Sequence, residues 1–210
     1  MKSLGVSADW SREKFTLDKD VVRIVLETFK KLYKDGLIYR GERIINWCSK
    51  HQTSLSDLEV KHKEVKSKLW HLRYPLKIHN PSSKIKNPNF IIVATTRPET
   101  MLGDTAVAVN PKDKRYKTLI GKKVILPIVG REIPIIADAA VDTKFGTGAI
   151  KVTPAHDPVD FEIGKKHKLQ AIEVIDKKGK IIINKQHGAD NLQLEKIDGL
   201  SVLEARKEII

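Results

Sequence analysis

The sequence contains very little cysteine and no long apolar run. Cys48 is the single cysteine among 210 residues, so no disulfide can form within the chain, and such a composition is typical of a reducing compartment. No apolar run approaches the roughly 20 residues that span a membrane. Residues 1–10 also lack the apolar segment of a secretory signal peptide. We therefore expect a soluble, cytoplasmic protein with no membrane partner.

Acidic side chains are also in short supply. Asp and Glu number 26 against 39 Lys and Arg, which gives a net charge of +13. This surplus favours a polyanionic partner, either nucleic acid or an acidic membrane surface; a general lysine bias that only solvates the surface is the alternative. Residues 61–89 carry eight basic side chains against Glu64 alone, with Trp70, His71 and Tyr74 between them. Such a mixture is typical of a nucleic-acid-binding surface.

The apolar pattern predicts an α+β fold in two parts. Apolar side chains recur at helical spacing over residues 18–35 and Gly36 supplies a stop, so we expect a helix there. Two short extended pieces, at residues 37–41 and 44–48, are expected to follow it around Gly41. Residues 1–74 are predicted to form a helical and small-ribbon segment. Residues 75–210 are predicted to form mainly a closed or partly closed β-barrel with short helices. Its predicted strands are 76–79, 90–95, 106–109, 123–126, 133–136, 149–152, 172–175 and 181–184.

Two helices are predicted among these strands. The first covers residues 157–167, with Asp157 as N-cap and Pro158 at the first helical position. The second covers residues 203–210. The first helix matters for function because it begins directly after a polar run.

A Thr-rich polar run follows the predicted strand 90–95. It reads Ala-Thr-Thr-Arg-Pro-Glu-Thr-Met-Leu-Gly-Asp-Thr and brings several hydroxyls and one guanidinium to one place. One interpretation is a capping box, in which Thr96 caps a short helix and Glu99 reaches back, with Gly103 at the end of the turn. A cap does not require Arg97, so this residue indicates a second role for the run.

A second polar run, at residues 145–160, reads Phe-Gly-Thr-Gly-Ala-Ile-Lys-Val-Thr-Pro-Ala-His-Asp-Pro-Val-Asp. Lys151 and Thr153 share one face of the predicted strand. Asp157 and Asp160 follow at the start of the helix, so a cation, a hydroxyl and two carboxylates can converge. Each has a simpler interpretation, since Asp157 can be only a cap, Asp160 can only favour the helix dipole, and Lys151 can be solvated. By itself, the pattern predicts binding of a small zwitterion or a sugar-phosphate end.

Other polar residues receive structural interpretations. Cys48 and His51 have half the spacing of a zinc site, but four ligands are needed and no second cysteine exists, so no metal is predicted. Asp138 and Asp142 are interpreted first as turn residues.

Three runs in register, residues 94–111, 130–138 and 145–158, closely resemble valyl-tRNA synthetases. They are similar to the editing domain of that class I family, a β-barrel inserted in the catalytic core, and the likeness extends over essentially the whole chain. The sequence Arg-Pro-Glu-Thr-Met-Leu-Gly-Asp followed by Thr-Ala-Val-Ala-Val favours the valyl family over its leucyl and isoleucyl relatives. Two departures are Cys48-x-x-His51, where the family often has Cys-x-x-Cys, and Val159, where a polar residue is frequent.

The resemblance implies post-transfer editing, the hydrolysis of threonine from mischarged tRNA(Val). The implied catalytic residues are Asp160, Asp157, Lys151 and Thr153, and the implied substrate-binding residues are Arg97, Phe145, Thr95, Thr96 and Thr100. In that assignment Asp160 holds the α-ammonium of the substrate and Phe145 walls the pocket. Arg97 and Lys151 meet the terminal adenosine, its phosphate or developing negative charge.

The resemblance also implies partners and cofactors. The partners are the acceptor end of tRNA(Val), threonine as the misacylated amino acid, and the rest of the synthetase. No cofactor is implied for editing, because ATP serves the catalytic core, whose His-Ile-Gly-His-like and Lys-Met-Ser-Lys-Ser-like motifs are missing from this sequence. Two alternatives remain open: a non-catalytic tRNA-binding insert, and an editing domain of leucyl or isoleucyl specificity.

Overall fold

A computed structural model of the protein describes residues 1–77, 90–183 and 192–210. They form two compact units, Met1–Glu42 and Arg43–Ile210. The boundary expected at residues 74 and 75 stays a prediction about domains, although both residues belong to a single β-strand in the structure.

The first unit is helical. Two short 3-10 helices, Lys2–Leu4 and Trp10–Arg12, precede helix α1, Lys19–Lys34. The chain turns at Gly36 with a φ of 71°, a conformation that favours a residue without a Cβ. The helix predicted over residues 18–35 is confirmed.

The second unit begins with a small antiparallel ribbon. Strand β1, Asn46–Cys48, pairs with strand β2, Thr53–Leu55, in agreement with the extended piece predicted at residues 44–48. The piece predicted at residues 37–41 does not form a strand. The indole Nε1 of Trp47 donates a hydrogen bond to the carbonyl oxygen of Lys177 at 2.8 Å. This contact ties the ribbon to the later part of the same unit.

Six further strands build two sheets. Strands β3, Trp70–Pro75, and β4, Phe90–Thr95, pair antiparallel. Strands β5, Ala106–Val109, β6, Lys123–Ile125, β7, Glu132–Ala137, and β8, Ala149–Val152, form a four-stranded sheet in the order β6-β7-β5-β8. Strand β5 runs parallel to β7 and antiparallel to β8. A bridge between Leu76 and Val124 joins the two sheets.

The expected β-barrel is not closed among the residues that the structure describes. Its strands divide into separate two-stranded and four-stranded sheets. The predicted strands at 172–175 and 181–184 form one bridge, between Ile175 and Ile181, and one backbone hydrogen bond, from Ile182 to Val174, and they do not extend either sheet. The end of the last one, and residues 78 and 79 of the first predicted strand, lie outside the described residues. The fold is therefore mixed α and β, with open sheets.

Three helices follow the sheets: α2, Pro158–His167, α3, Leu192–Ile197, and α4, Val202–Ile209. Helices α2 and α4 confirm the two predicted ones within a residue. In the part of the chain that can be described, no helix has the length and apolar character needed to cross a membrane.

Strand β5 shows how the sheet positions helix α2. All four of its residues are buried, because both faces of the sheet are covered. Val107 and Val109 face the main core, whereas Ala106 and Ala108 face a smaller cluster that contains Ile163 of α2. The small alanines let α2 pack closely on the sheet, with its first turn beside the end of β8.

Candidate functional site

A pocket of about 450 Å³ opens where β4 and β8 end and α2 begins. All nine residues that the sequence marked as a candidate site line it: Thr95, Thr96, Arg97, Thr100, Phe145, Lys151, Thr153, Asp157 and Asp160. Ala94, Ala140, Val141, Asp142, Ile150, His156 and Val159 complete the lining. The structure therefore brings together two polar runs that are some fifty residues apart in the sequence; which roles these residues have stays a prediction.

The turn after β4 does not contain the expected capping box. A 3-10 helix runs over Pro98–Gly103, Arg97 occupies its N-cap position, and no side chain caps it. Thr95 Oγ1 instead accepts a hydrogen bond from the backbone N–H of Arg97 at 3.0 Å. Glu99 cannot reach back to Thr96, because its carboxylate is buried and bound by Arg206 of α4.

A buried polar network forms the inner wall of the pocket. The Lys151 ammonium donates to Thr100 Oγ1 at 2.7 Å, to Asp104 Oδ1 at 3.3 Å and to Thr153 Oγ1. Thr153 Oγ1 donates to Asp104 Oδ1 at 2.6 Å, and the hydroxyl of Tyr74 donates to Asp104 Oδ2 at 2.6 Å. Lys151 is only 8% exposed. Its contacts therefore favour a role in holding the wall rather than in meeting a substrate phosphate.

Asp104 is the member of this network that the sequence did not single out. It is fully buried, and burial raises its pKa, although Lys151 and the hydroxyls of Thr153 and Tyr74 oppose that effect. Burial also raises the pKa of Tyr74, reinforced by the adjacent Asp104. A signal existed, since Asp104 stands between a polar turn and an entirely apolar strand. Its partners were not predictable, because Tyr74 and Lys151 lie on separate strands.

The two carboxylates at the start of α2 have different surroundings. Asp157 Oδ1 accepts from the backbone N–H groups of Val159 at 2.8 Å and Asp160 at 3.1 Å, which confirms that Asp157 is the N-cap. Asp160 Oδ2 accepts from the backbone N–H of Thr153 at 2.8 Å. Burial raises the pKa of Asp160 to about 6, with Asp157 and Asp104 adding to the effect. Asp160 is thus a pocket carboxylate that a bound cation would stabilise.

Arg97 and His156 meet at the mouth of the pocket. Arg97 Nη1 donates to the carbonyl oxygen of His156 at 2.7 Å, and the Arg97 side chain is 44% exposed. The Nε2 atom of His156 accepts from the backbone N–H of Val174 at 2.9 Å. Burial, with Arg97 and Lys151 nearby, lowers the pKa of His156 to about 4. The imidazole is therefore neutral at pH 7 and fastens the residue 172–175 segment to the site.

The rim of the pocket is apolar. Phe145 is 57% exposed and Val159 is 56% exposed, and both line the opening. Large exposed apolar side chains beside a polar pocket are typical of a ligand-binding surface. The arrangement offers a carboxylate for a cation, a guanidinium for an anion, and an apolar rim for a ring or a methyl group.

Cys48 and His51 do lie side by side in the ribbon. Cys48 Sγ and His51 Nδ1 are 3.4 Å apart. Across the described ranges, no group of three or more His, Cys, Asp and Glu side chains is close enough to hold a metal ion.

Asp138, interpreted first as a turn residue, has contacts beyond its turn. Its Oδ1 accepts from the backbone N–H of Ala140 at 2.9 Å, as in a turn. Its Oδ2 lies 2.9 Å from both Lys166 Nζ and His167 Nε2, in the last turn of α2. Sequence reasoning missed this cluster, since its members are 28 or 29 residues apart.

The comparisons with known proteins agree with one another. Residues 1–196 match the family model described as tRNA synthetases class I (I, L, M and V). The whole chain is similar to valine–tRNA ligases of Thermotoga maritima, at 53% identity over 22% of that protein, and Prochlorococcus marinus, at 55% identity over 21%. A relative from Clostridium tetani is 51% identical over 22% of its length. The chain thus spans about a fifth of the length of these relatives.

A solved structure described as "The crystal structure of GlLeuRS-CP1" overlaps more weakly. It has 18% identity and a TM-score of 0.40, and covers 47% of this chain and 59% of its own. The family model, by contrast, matches nearly the whole sequence, and the chain belongs to the class I tRNA synthetases of the isoleucyl, leucyl, methionyl and valyl group.

Proposed function

We propose that this chain carries the editing site of a valyl-tRNA synthetase and hydrolyses the aminoacyl ester of threonyl-tRNA(Val). The observation that carries the proposal is Asp160, a carboxylate of raised pKa that lines a pocket whose mouth holds Arg97. A carboxylate and a guanidinium on one pocket suit an aminoacylated tRNA end, which has an ammonium group and a nearby phosphate. The similarity to valine–tRNA ligases supports the valyl assignment.

The chemical need for such a site follows from the two amino acids. A pocket shaped for valine cannot strongly reject the nearly isosteric threonine, and valyl-tRNA synthetases are themselves a known example of this limit. A second site that hydrogen-bonds the threonine hydroxyl discriminates better, because valine would leave its polar groups unpaired. Thr95 and Thr96 line the pocket, and their hydroxyls are the candidates for this contact.

The proposed reaction is an ester hydrolysis. A water oxygen bonds to the carbonyl carbon, the bond from that carbon to the ribose oxygen breaks, and the ribose oxygen takes up a proton. Asp160 holds the ammonium group, Arg97 faces negative charge, and Lys151 and Thr153 keep the wall in place. Because the ester is already reactive, orientation of water and electrostatic stabilisation suffice, and no cofactor is needed. ATP would serve only the synthetic site of the complete enzyme.

Deacylation of mischarged tRNAs tests the proposal. The chain, alone and within a complete valine–tRNA ligase, should release threonine from threonyl-tRNA(Val) and leave valyl-tRNA(Val) intact. Equal rates on the two would contradict the specificity. Release of a noncognate amino acid from tRNA(Leu) or tRNA(Ile), with threonyl-tRNA(Val) spared, would favour leucyl or isoleucyl editing instead.

A non-catalytic tRNA-binding insert is the second candidate. The basic side chains of residues 61–77 favour it, since Lys61, Lys63, Lys66 and Lys68 are all exposed. If these side chains contact phosphates, tRNA affinity should fall steeply with added salt. Salt-dependent binding without any deacylation would select this candidate, and deacylation by the complete enzyme would reject it.

A further inference from the structure

Glu99 is a buried carboxylate that two arginines approach. Arg206 of α4 holds it with two hydrogen bonds, Nε to Oε2 at 2.9 Å and Nη2 to Oε1 at 2.8 Å. Arg97 Nε lies farther away, 3.7 Å from Oε1. A cation stabilises a buried carboxylate, and the paired geometry of Arg206 does so more fully than one long contact.

Arg206 is itself held in place. Its guanidinium lies 5.3 Å from the centre of the Trp70 ring. Helix α4 begins at a capping box in which Ser201 and Glu204 bind each other's backbone N–H groups. Helix α4 packs against the 3-10 helix Pro98–Gly103 and brings Arg206 to Glu99, whereas Arg206 is not one of the residues that line the pocket.

We propose that Arg206 is a positioning residue for Arg97. By neutralising Glu99, it leaves the Arg97 guanidinium at the pocket mouth, where it is available to the anionic part of the substrate. The identity of that substrate rests on the proposed editing function. The competition between two arginines for one carboxylate rests on the geometry alone.

A double substitution distinguishes a positioning role of Arg206 from a role in which it only anchors helix α4. If Arg206 is replaced by Met, buried Glu99 is left without its main partner and draws in Arg97, which is already 3.7 Å away. If Glu99 is also replaced by Gln, no carboxylate remains to capture Arg97. The double variant Glu99→Gln/Arg206→Met should therefore resemble the unmodified protein more closely than Arg206→Met does.

Chemical modification of Arg97 tests this without any substrate. Phenylglyoxal modification, followed by peptide mapping in a mass spectrometer, measures how fast the Arg97 guanidinium reacts. The rate should fall several-fold in Arg206→Met and recover in the double variant. Lys207→Met, which removes a neighbouring exposed cation of α4, should leave it unchanged. An unaltered rate in Arg206→Met, or a double variant as slow as the single one, would overturn the proposal.

Ligand affinity provides the second measurement. The probe is adenosine 5′-monophosphate that carries threonine through a 3′-amide, which resists hydrolysis. Arg206→Met should bind it about tenfold more weakly, as expected for a lost charge-assisted hydrogen bond, and the double variant should recover most of that loss. If the unmodified protein does not bind the probe, the proposed function fails, while the modification rates still judge the role of Arg206.

Folding is checked by circular dichroism and denaturant midpoints for every variant. Should Arg206→Met fail to fold, Arg206→Lys takes its place. Lys keeps the charge but loses the paired geometry, so it should slow Arg97 modification by an intermediate factor. No change of rate in a folded Arg206→Lys variant would count against the proposal.

Discussion

Asp138 and Asp160 are buried carboxylates that meet opposite ends of helix α2, and their electrostatic surroundings differ. Asp138, 3% exposed, is bound by Lys166 and His167 in the last turn. Burial favours its protonated form, but hydrogen bonds from Ala140, Lys166 and His167 outweigh this and lower its pKa to about 2. Asp160, 8% exposed, lies in the first turn, and burial raises its pKa to about 6.

The difference separates a structural carboxylate from a candidate binding carboxylate. Asp138 already has its cations, so a ligand would gain little by binding it. Within the described part of the chain Asp160 makes no ion pair, and its carboxylate accepts a hydrogen bond from the backbone N–H of Thr153. An ionised carboxylate that is buried with few partners destabilises the free protein. Binding of a cation to that carboxylate removes the destabilisation.

The largest difference between substitutions of Asp160 and Asp138 should be in the rate of hydrolysis. Asp160→Asn keeps an oxygen that can accept from Thr153 but removes the charge, so we expect threonyl-tRNA(Val) hydrolysis to fall by about a hundredfold, as for a misplaced substrate. Asp138→Asn is the matched control and should retain activity in its folded fraction. Single-turnover deacylation measures both. Comparable activity in the two variants would remove Asp160 from the site.

The free energy of unfolding should change in opposite directions in Asp160→Asn and Asp138→Asn. At pH 7 Asp160 is ionised in the folded protein, because this pH lies above its raised pKa. A pKa that rises from 3.8 to about 6 on folding corresponds to a destabilisation of the folded protein by at most about 3 kcal/mol. Asp160→Asn should therefore increase the free energy of unfolding. Asp138→Asn should decrease it by about 1 kcal/mol, because Lys166, His167 and the backbone N–H of Ala140 lose a charged acceptor.

Denaturant unfolding at several pH values checks these signs. The raised pKa of Asp160 makes its cost full above about pH 6, smaller as the pH falls, and absent below 3.8. The lowered pKa of Asp138 makes its contribution full above 3.8 and lost as the pH falls towards about 2. If Asp160→Asn were less stable than the unmodified protein at pH 7, Asp160 would be a structural residue after all.

The smallest expected effect is the pH dependence of ligand binding. Affinity for the threonyl amide probe should decline as the pH falls below about 6, since protonated Asp160 cannot pair with an ammonium group. The loss approaches about tenfold per pH unit. Titration calorimetry from pH 5 to pH 8 measures it, and Asp160→Asn should bind weakly with little pH dependence. A dependence that persists in Asp160→Asn would belong to another group.

Local patterns in the sequence predicted several elements correctly. The N-cap at Asp157 and Pro158 after it predicted α2, and the turn at Gly36 predicted the end of α1. Strand β3 was missed, because its exposed His71 and Arg73 made the run resemble a basic surface rather than one face of a strand. Such turns, and the apolar periodicity of helices, depend on neighbours within a few residues, so the sequence predicts them.

The candidate site was predictable as a set of residues but not as a network. The two polar runs contain every residue that was expected in the pocket, and all nine line it. The capping box was wrong, because Thr96 and Glu99 satisfy a local pattern that the fold overrides. The partner that overrides it, Arg206, lies 107 residues further along the chain.

The sequence by itself determined the family, the N-cap of α2 and the residue types of the pocket, since each is encoded in contiguous runs. Tertiary structure alone decided which carboxylates receive a cation. Asp138 meets Lys166, Glu99 meets Arg206, and Asp104 meets Lys151, each across at least 28 residues. Asp160 has no such partner among the described residues. The charge state and availability of a carboxylate depend on burial and on distant cations, and folding brings those together.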